Sequence, residues 1–237
     1  MYNPSIHIYA DGANLADMTA AYQEGIVKGF TTNPTLMRKS GVKDYLAFLR
    51  DAAAAIPDLP LSVEVFADDF PTMKREAQVL SSYGKNIFVK IPILNIDGES
   101  SVPLIGELSG LGVPLNVTAV MSLTQVREAV EAFAPGTRNI VSVFAGRIAD
   151  TGTDPVPVMR EAAALCHAKP DVRLLWASSR EILNVLQAEA CGADIITLTY
   201  DLLKKLPMLG RDYQTLSPEI VQMFSRDAHS LGFRILP

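Results

Sequence analysis

The chain is poor in the residues that build metal centres and covalent cross-links. Its 237 residues include two cysteines, Cys166 and Cys191, and three histidines, His7, His167 and His229. The cysteines show neither C-x-x-C spacing nor a neighbouring histidine, so they read as buried, reduced thiols. The histidines form no ligand pattern, and no metal site is expected from them. Long apolar runs are also missing, and none approaches the roughly 20 residues that span a bilayer. Met1-Tyr2-Asn3-Pro4 does not open a basic region followed by an apolar stretch. A soluble, cytoplasmic protein with no membrane partner is the expectation. Positive charge is in deficit, with 21 Lys and Arg against 26 Asp and Glu and a net charge of −5. A nucleic-acid surface needs clustered Lys and Arg, so none is expected, and Lys204-Lys205 reads as a solvated helix face.

What is present is regular alternation. Short apolar or β-branched runs are each followed by a longer amphipathic segment. Strands are expected near Ile6 to Asp11, Gly29 to Asn33, Leu61 to Phe66, Ile87 to Pro92, Pro114 to Val120, Ile140 to Ala145, Val172 to Ser178 and Asp194 to Thr199. Eight such units in a chain of this size fit one closed (β/α)8 TIM barrel spanning residues 1–237, since parallel strands need helical crossovers. An open doubly wound sheet competes, but Asp11-Gly12-Ala13-Asn14 is not its glycine-rich phosphate loop. Prolines and glycines are scattered as punctuation, with no linker to divide the chain. A last helix, opened by Ser217-Pro218-Glu219 and covering about 217–230, lies outside the eight units and could cap the barrel or reach a neighbour.

Lys90 stands out because Ile87-Phe88-Val89-Lys90-Ile91-Pro92 otherwise reads as a buried strand. Burial favours a neutral amine, and a neutral amine attacks a carbonyl carbon to form a Schiff base. The bland alternative is a lysine paired with a buried carboxylate or snorkelling from the strand end. Alternation places Lys90, Asp11, Glu64, Asn116 with Thr118, and Ser142 with Phe144 on inner faces. Thr31 and Asn33 share one face, and Ser178 shares one with Trp176. Taken singly these have dull explanations: helix caps for Asp11 and Ser178, a turn for Asn33, an ion pair with Lys90 for Glu64. Together they put two carboxylates, a lysine, hydroxyls and amides on one rim, which suits a polyhydroxylated carbonyl compound. Arg147 and Arg180 follow the sixth and seventh strands at the same rim, where they could bind phosphate or pair with Asp150, Asp154 or Glu181.

In order and spacing, these segments resemble the transaldolase family of class I aldolases, in the short-chain branch that includes fructose-6-phosphate aldolase. The carriers are Asp11, Gly29-Phe30-Thr31-Thr32-Asn33-Pro34-Thr35-Leu36, Ser62-Val63-Glu64-Val65, Val89-Lys90-Ile91-Pro92, Asn116-Val117-Thr118-Ala119-Val120, Ser142-Val143-Phe144-Ala145-Gly146-Arg147-Ile148 and Ala177-Ser178-Ser179-Arg180. The resemblance implies transfer of a dihydroxyacetone unit between sugar phosphates through a Schiff base on Lys90, with no metal or organic cofactor. Asp11 would take the C4 hydroxyl proton, and Glu64 and Thr118 would shuttle protons. Asn33, Asn116 and Ser142 would hold the three-carbon fragment with Thr31 nearby, and Arg147, Ser178 and Arg180 the phosphate. Glu64 and Phe144 resemble transaldolases, where fructose-6-phosphate aldolases carry Gln and Tyr. The branch is also often assembled into rings, which implies a homo-oligomer. One stretch departs from the pattern: the family commonly has a Thr two residues beyond the Pro and a shorter path to a Gly, whereas here Pro92 is followed by Ile93-Leu94-Asn95-Ile96-Asp97-Gly98. Rival readings are an aldolase releasing free dihydroxyacetone and a sugar-phosphate-binding barrel without catalysis.

Overall fold

The computed structural model describes residues 4–235; the reading of Met1-Tyr2-Asn3 falls outside them. Among these residues, eight strands close into a barrel in sequence order: β1 (His7–Asp11), β2 (Phe30–Thr31), β3 (Leu61–Glu64), β4 (Ile87–Pro92), β5 (Leu115–Val120), β6 (Asn139–Val143), β7 (Val172–Trp176) and β8 (Ile195–Thr199). Every neighbouring pair is parallel, and β1 closes on β8 from His7↔Ile195 to Asp11↔Thr199. The helices are α1 (Leu15–Glu24), α2 (Pro34–Lys39), α3 (Tyr45–Ala55), α4 (Phe70–Ser81), α5 (Val102–Gly110), α6 (Leu123–Ala132), α7 (Ala145–Asp150), α8 (Pro155–His167), α9 (Leu183–Ala190), α10 (Tyr200–Leu203) and α11 (Leu216–Leu231). This is the expected TIM barrel with an extra C-terminal helix.

Several helices start where a short polar side chain accepts from the first free N–H groups: Asn14 for α1, Asn33 for α2, Asp44 for α3 and Asp69 for α4. Such caps satisfy donors that the helix itself cannot. At α6, Ser122 and Gln125 form a reciprocal capping box. The strands bury one face against these helices, and Leu61, Val63, Val89, Ile91, Val117, Val141, Leu174, Trp176 and Ile196 belong to that outer layer.

A smaller cluster fills the barrel itself: Tyr9, Phe88, Ile140, Leu175, Ala177 and Ile195, with Phe144 packed against it. Side chains repeat with a period of two along a strand, so two residues further on each strand returns to the interior. Tyr9 leads to Asp11, Phe88 to Lys90, Ile140 to Ser142 and Ile195 to Thr197. The interior therefore changes from an apolar plug to a polar layer towards the carboxyl ends of the strands, where barrels of this class place their chemistry.

One face assignment needs correction. Trp176 lies in the outer layer and Ala177 in the inner cluster, so Ser178 does not continue an inner face shared with Trp176. The strand ends at Trp176, and Ser178 has turned into the left-handed region at φ 63°. Alternation cannot be carried past that turn.

After β8 the chain leaves the barrel quickly. The four-residue α10 is followed by single 3-10 turns at Leu206–Met208 and Tyr213–Thr215, and α11 buries none of its residues. A cavity of about 840 Å3 lies between α1 and the stretch from Tyr200 to Leu209.

Candidate active site

Lys90 sits near the carboxyl end of β4 with its side chain 8% exposed, beside Glu64 on β3 at 18%. Register fixes their proximity, because Glu64 pairs with Lys90, and Lys90 in turn with Asn116 on β5. Lys90 Nζ donates to Glu64 Oε2 at 2.9 Å and to the Thr32 carbonyl at 2.7 Å. The carboxylate-paired lysine and the candidate nucleophile are thus the same arrangement. Glu64 stands where it can take a proton from the ammonium and free the amine.

Asp11 occupies the end of β1. It does not cap α1, a task performed by Asn14, so its carboxylate faces the site rather than a helix start. Thr31 Oγ1 is 2.8 Å from Asp11 Oδ1 and 2.6 Å from Thr197 Oγ1; it donates to the carboxylate, so the Thr197 hydroxyl donates to it. Burial raises the Asp11 carboxyl above its ordinary value, with nearby Glu64 adding to the rise; Lys90 and the Thr31 hydrogen bond oppose it. A carboxyl that binds its proton more tightly when folded makes ionisation costly to the fold. Stability is then fullest below the ordinary aspartate value and declines as pH rises through the raised one. Asp11→Asn is therefore expected to raise Tm at neutral pH, measured by calorimetry. Thr31→Val removes a donor from the carboxylate and should move the acid limb of any Asp11-dependent rate to higher pH.

A second chain of hydrogen bonds crosses the floor of the site. Ser142 Oγ donates to Asn116 Oδ1 at 2.6 Å, and Asn116 Nδ2 donates to Ser62 Oγ at 3.0 Å, all three residues being buried. The Asn116 amide is held in one orientation by this pair of bonds. Thr118 is buried on the same strand, within the register shift between Val117 and Val120 where Ala119 takes φ 59°. Asn33 spends its Oδ1 on the Leu36 N–H at 3.0 Å as the cap of α2. Its Nδ2 has no partner among the described residues. Ser62, Thr197 and the Thr32 carbonyl were not singled out from sequence; parity with Glu64 would have placed Ser62 on the inner face.

The arginines differ. Arg180 makes a two-pronged pair with Asp150, Nε to Oδ1 at 2.9 Å and Nη2 to Oδ2 at 2.5 Å. This is the surface-pairing alternative. Arg147 is exposed at the start of α7 with no hydrogen bond or ion pair among the described residues, although it and Arg180 both hold the Asp150 carboxyl below its ordinary value, Arg180 foremost. Ser178 is half-buried between them in sequence, and its carbonyl is crowded by Gly146: a Cβ there would lie 1.6 Å from Ser178 O. That close approach seats the first turn of α7 against the β7 turn, which brings Arg147 and Ser178 to one side of the mouth.

Beside Lys90, the departing segment is a self-closed hairpin. Leu94 bridges Ser100 antiparallel, and Asn95 Oδ1 accepts from the N–H groups of Asp97 and Glu99. Ser101 N then returns to the Ile93 carbonyl at 2.9 Å before α5 begins.

Residues 8–235 match the model of the transaldolase/fructose-6-phosphate aldolase family. The chain belongs to that family. Among curated relatives named "Probable transaldolase", that of Thermoanaerobacter sp. (strain X514) is 31% identical over 228 residues, 96% of this chain and 99% of its own length. That of Carboxydothermus hydrogenoformans is 35% identical over 202 residues, covering 85% and 90%. An Exiguobacterium relative is 32% identical over a similar span, 85% and 89%. Membership in the transaldolase/fructose-6-phosphate aldolase family agrees with an aldolase-type enzyme acting on small molecules. No helix among the described residues is long and apolar enough to cross a membrane. Both cysteines are buried and unpaired, and burial pushes the Cys166 thiol up to about 12.

Proposed function

We propose that the chain is a transaldolase: it moves a dihydroxyacetone unit from a ketose phosphate to an aldose acceptor by a class I mechanism. The reading rests on one observation, a buried lysine amine 2.9 Å from Glu64 in the same polar layer as a second carboxylate, Asp11. A protein that merely held a sugar phosphate would not require an amine and two carboxylates there.

In this mechanism Glu64 accepts a proton from Lys90, and the neutral amine attacks the C2 carbonyl. The carbinolamine loses its C2 oxygen as water, with Thr118 and Glu64 passing protons, and leaves a protonated imine. Asp11 then takes the C4 hydroxyl proton. The C3–C4 bond breaks, its electron pair flows towards the iminium nitrogen, and an aldose phosphate departs with a new carbonyl. Asn116, Ser142, Asn33 and Thr31 hold the hydroxyls of the three-carbon fragment. Arg147, Ser178 and Arg180 hold the phosphate, Arg180 exchanging Asp150 for it. Addition to an acceptor aldehyde runs the steps backwards. The chemistry needs no metal and no organic cofactor, and a cytoplasmic setting suits the two reduced thiols.

Phe144 packs against the barrel plug and has no hydroxyl to help a water reach the bound fragment. Transfer is therefore favoured over release of free dihydroxyacetone. A coupled assay with fructose 6-phosphate or sedoheptulose 7-phosphate tests this: turnover should be slow alone and rise sharply with erythrose 4-phosphate or glyceraldehyde 3-phosphate. Sustained acceptor-independent release of dihydroxyacetone would make the protein an aldolase instead.

The proposal includes a homo-oligomer. Along α11, Ile220, Val221 and Phe224 are exposed on one face together with Leu231, an arrangement that costs solubility unless a second copy covers it. Light scattering should show an assembly that Phe224→Glu weakens; a monomer at every concentration would remove this part.

A further inference from the structure

The inner faces of the strands can also be followed towards their amino ends, away from the catalytic layer. Two residues before Tyr9 stands His7, before Ile140 Arg138, and before Leu175 Arg173. The apolar plug separates these three bases from Lys90. Arg138 lies over the Phe88 ring, 5.3 Å from its centroid, and its Nη2 donates to the Lys85 carbonyl at 2.8 Å. Arg173 is exposed and has no hydrogen bond or ion pair among the described residues. Burial raises the Tyr9 phenol to about 12 even though both guanidinium groups, Arg173 foremost, act to lower it.

His7 adds a third basic group, and Lys28 a fourth: its backbone N–H donates to the carbonyl of Ile8, the residue after His7, at 2.7 Å, while its exposed Nζ makes a long contact of 3.5 Å with the Gly25 carbonyl. The imidazole is held below its ordinary value, first by burial, then by the charges of Arg173 and Lys28; Asp194 alone acts in the other direction. That carboxylate is already engaged: its Oδ2 accepts from the Leu174 N–H at 2.8 Å and contacts His167 Nε2 at 3.1 Å. Four basic groups thus gather at one mouth of a barrel whose chain carries a net charge of −5. Like charges so placed repel until an anion joins them, and guanidinium forks suit phosphate oxygens.

We propose that the amino-terminal mouth of the barrel binds a small phosphate-bearing anion, held by Arg173, Arg138, Lys28 and protonated His7. This site is separate from the phosphate end of the proposed active site, at the opposite end of the barrel.

Inorganic pyrophosphate is the probe, added to the full chain in a phosphate-free buffer. Binding is read by calorimetry and by histidine NMR, with the His7 signal assigned through His7→Gln. Pyrophosphate should raise the pH at which His7 titrates. Arg173→Gln and Lys28→Gln should each weaken this response roughly tenfold, the loss of about one charge-assisted hydrogen bond. Both variants lie on the exposed surface and should keep the wild-type yield of borohydride-trapped Lys90 adduct. Arg147→Ala should leave the His7 response intact. An unchanged His7 titration at millimolar pyrophosphate would overturn the proposal, as would a response lost in Arg147→Ala but kept in Arg173→Gln. Failure here leaves the transaldolase reading standing, because adduct formation at Lys90 is scored separately.

Discussion

Lys90→Met is expected to lose turnover by roughly 10^4-fold or more, the scale seen when a covalent nucleophile is removed, and to lower Tm as well. The two effects have different origins. Without its amine the protein cannot form the imine that accepts electrons when the C3–C4 bond breaks. Without its charge Glu64 keeps a carboxylate in a largely buried place, and the Thr32 carbonyl loses its donor at 2.7 Å. Breaking a well-buried pair costs about 3 to 5 kcal/mol; Glu64 retains some contact with water, so about 2 kcal/mol is expected here. In a domain of this size that is roughly 4 to 8 °C in Tm. Lys90→Met/Glu64→Gln should recover much of the stability and none of the turnover, because the stranded charge is gone while the nucleophile is still missing. Calorimetry beside the transfer assay separates the two. A Lys90→Met protein that kept a tenth of its activity would rule out the imine.

Gly146→Ala carries the second large effect, on the substrate's phosphate rather than on the bond broken. A methyl at this position would fall 1.6 Å from the Ser178 carbonyl oxygen and 2.7 Å from its carbonyl carbon, and both are backbone atoms that cannot rotate away. Either α7 or the turn after β7 must move. Ser178 is already in the left-handed region, where little further adjustment is open to a side-chain-bearing residue. A loss of about 3 kcal/mol in stability is expected, in the range of severe overpacking. Where the protein still folds, KM for a phosphorylated donor should rise more than tenfold, as an estimate from losing one charged contact, while trapping with unphosphorylated dihydroxyacetone should be little changed. Wild-type KM in a well-folded Gly146→Ala protein would mean that the phosphate is held elsewhere.

How much of this could be read from the chain alone follows from which features are local. Strand existence was legible, because each run alternates with an amphipathic helix; β4 runs from Ile87 to Pro92 as expected. The expected ends were less secure, and β2 shrinks to Phe30–Thr31 because the chain turns into the Asn33-capped α2 straight afterwards. Lys90, Glu64 and Asp11 could be assigned to one layer because parity holds inside a strand. It failed at Ser178, where the strand had ended without a glycine or proline to announce the turn. The shift in β5 was hidden for the same reason, since Ala119 at φ 59° carries no sequence signal.

Long-range pairings were the least accessible. Asp150 was one of three acidic candidates for Arg180, and only the packing of α7 against the β7 turn selects it across 30 residues. The basic mouth was invisible because His7, Arg138 and Arg173 are brought together by barrel closure rather than by spacing in the chain. The hairpin after β4 could be seen as a departure from the family pattern, but not as a closed unit; the Leu94–Ser100 bridge and the Ser101 to Ile93 hydrogen bond provide that.

The most direct test of the catalytic proposal is borohydride reduction in the presence of fructose 6-phosphate or sedoheptulose 7-phosphate, followed by peptide mass spectrometry. A stable three-carbon or sugar-phosphate adduct on the peptide containing Lys90, absent from Lys90→Met, is the predicted result. An adduct on another lysine, or none with either ketose under conditions where the protein turns them over, would contradict it.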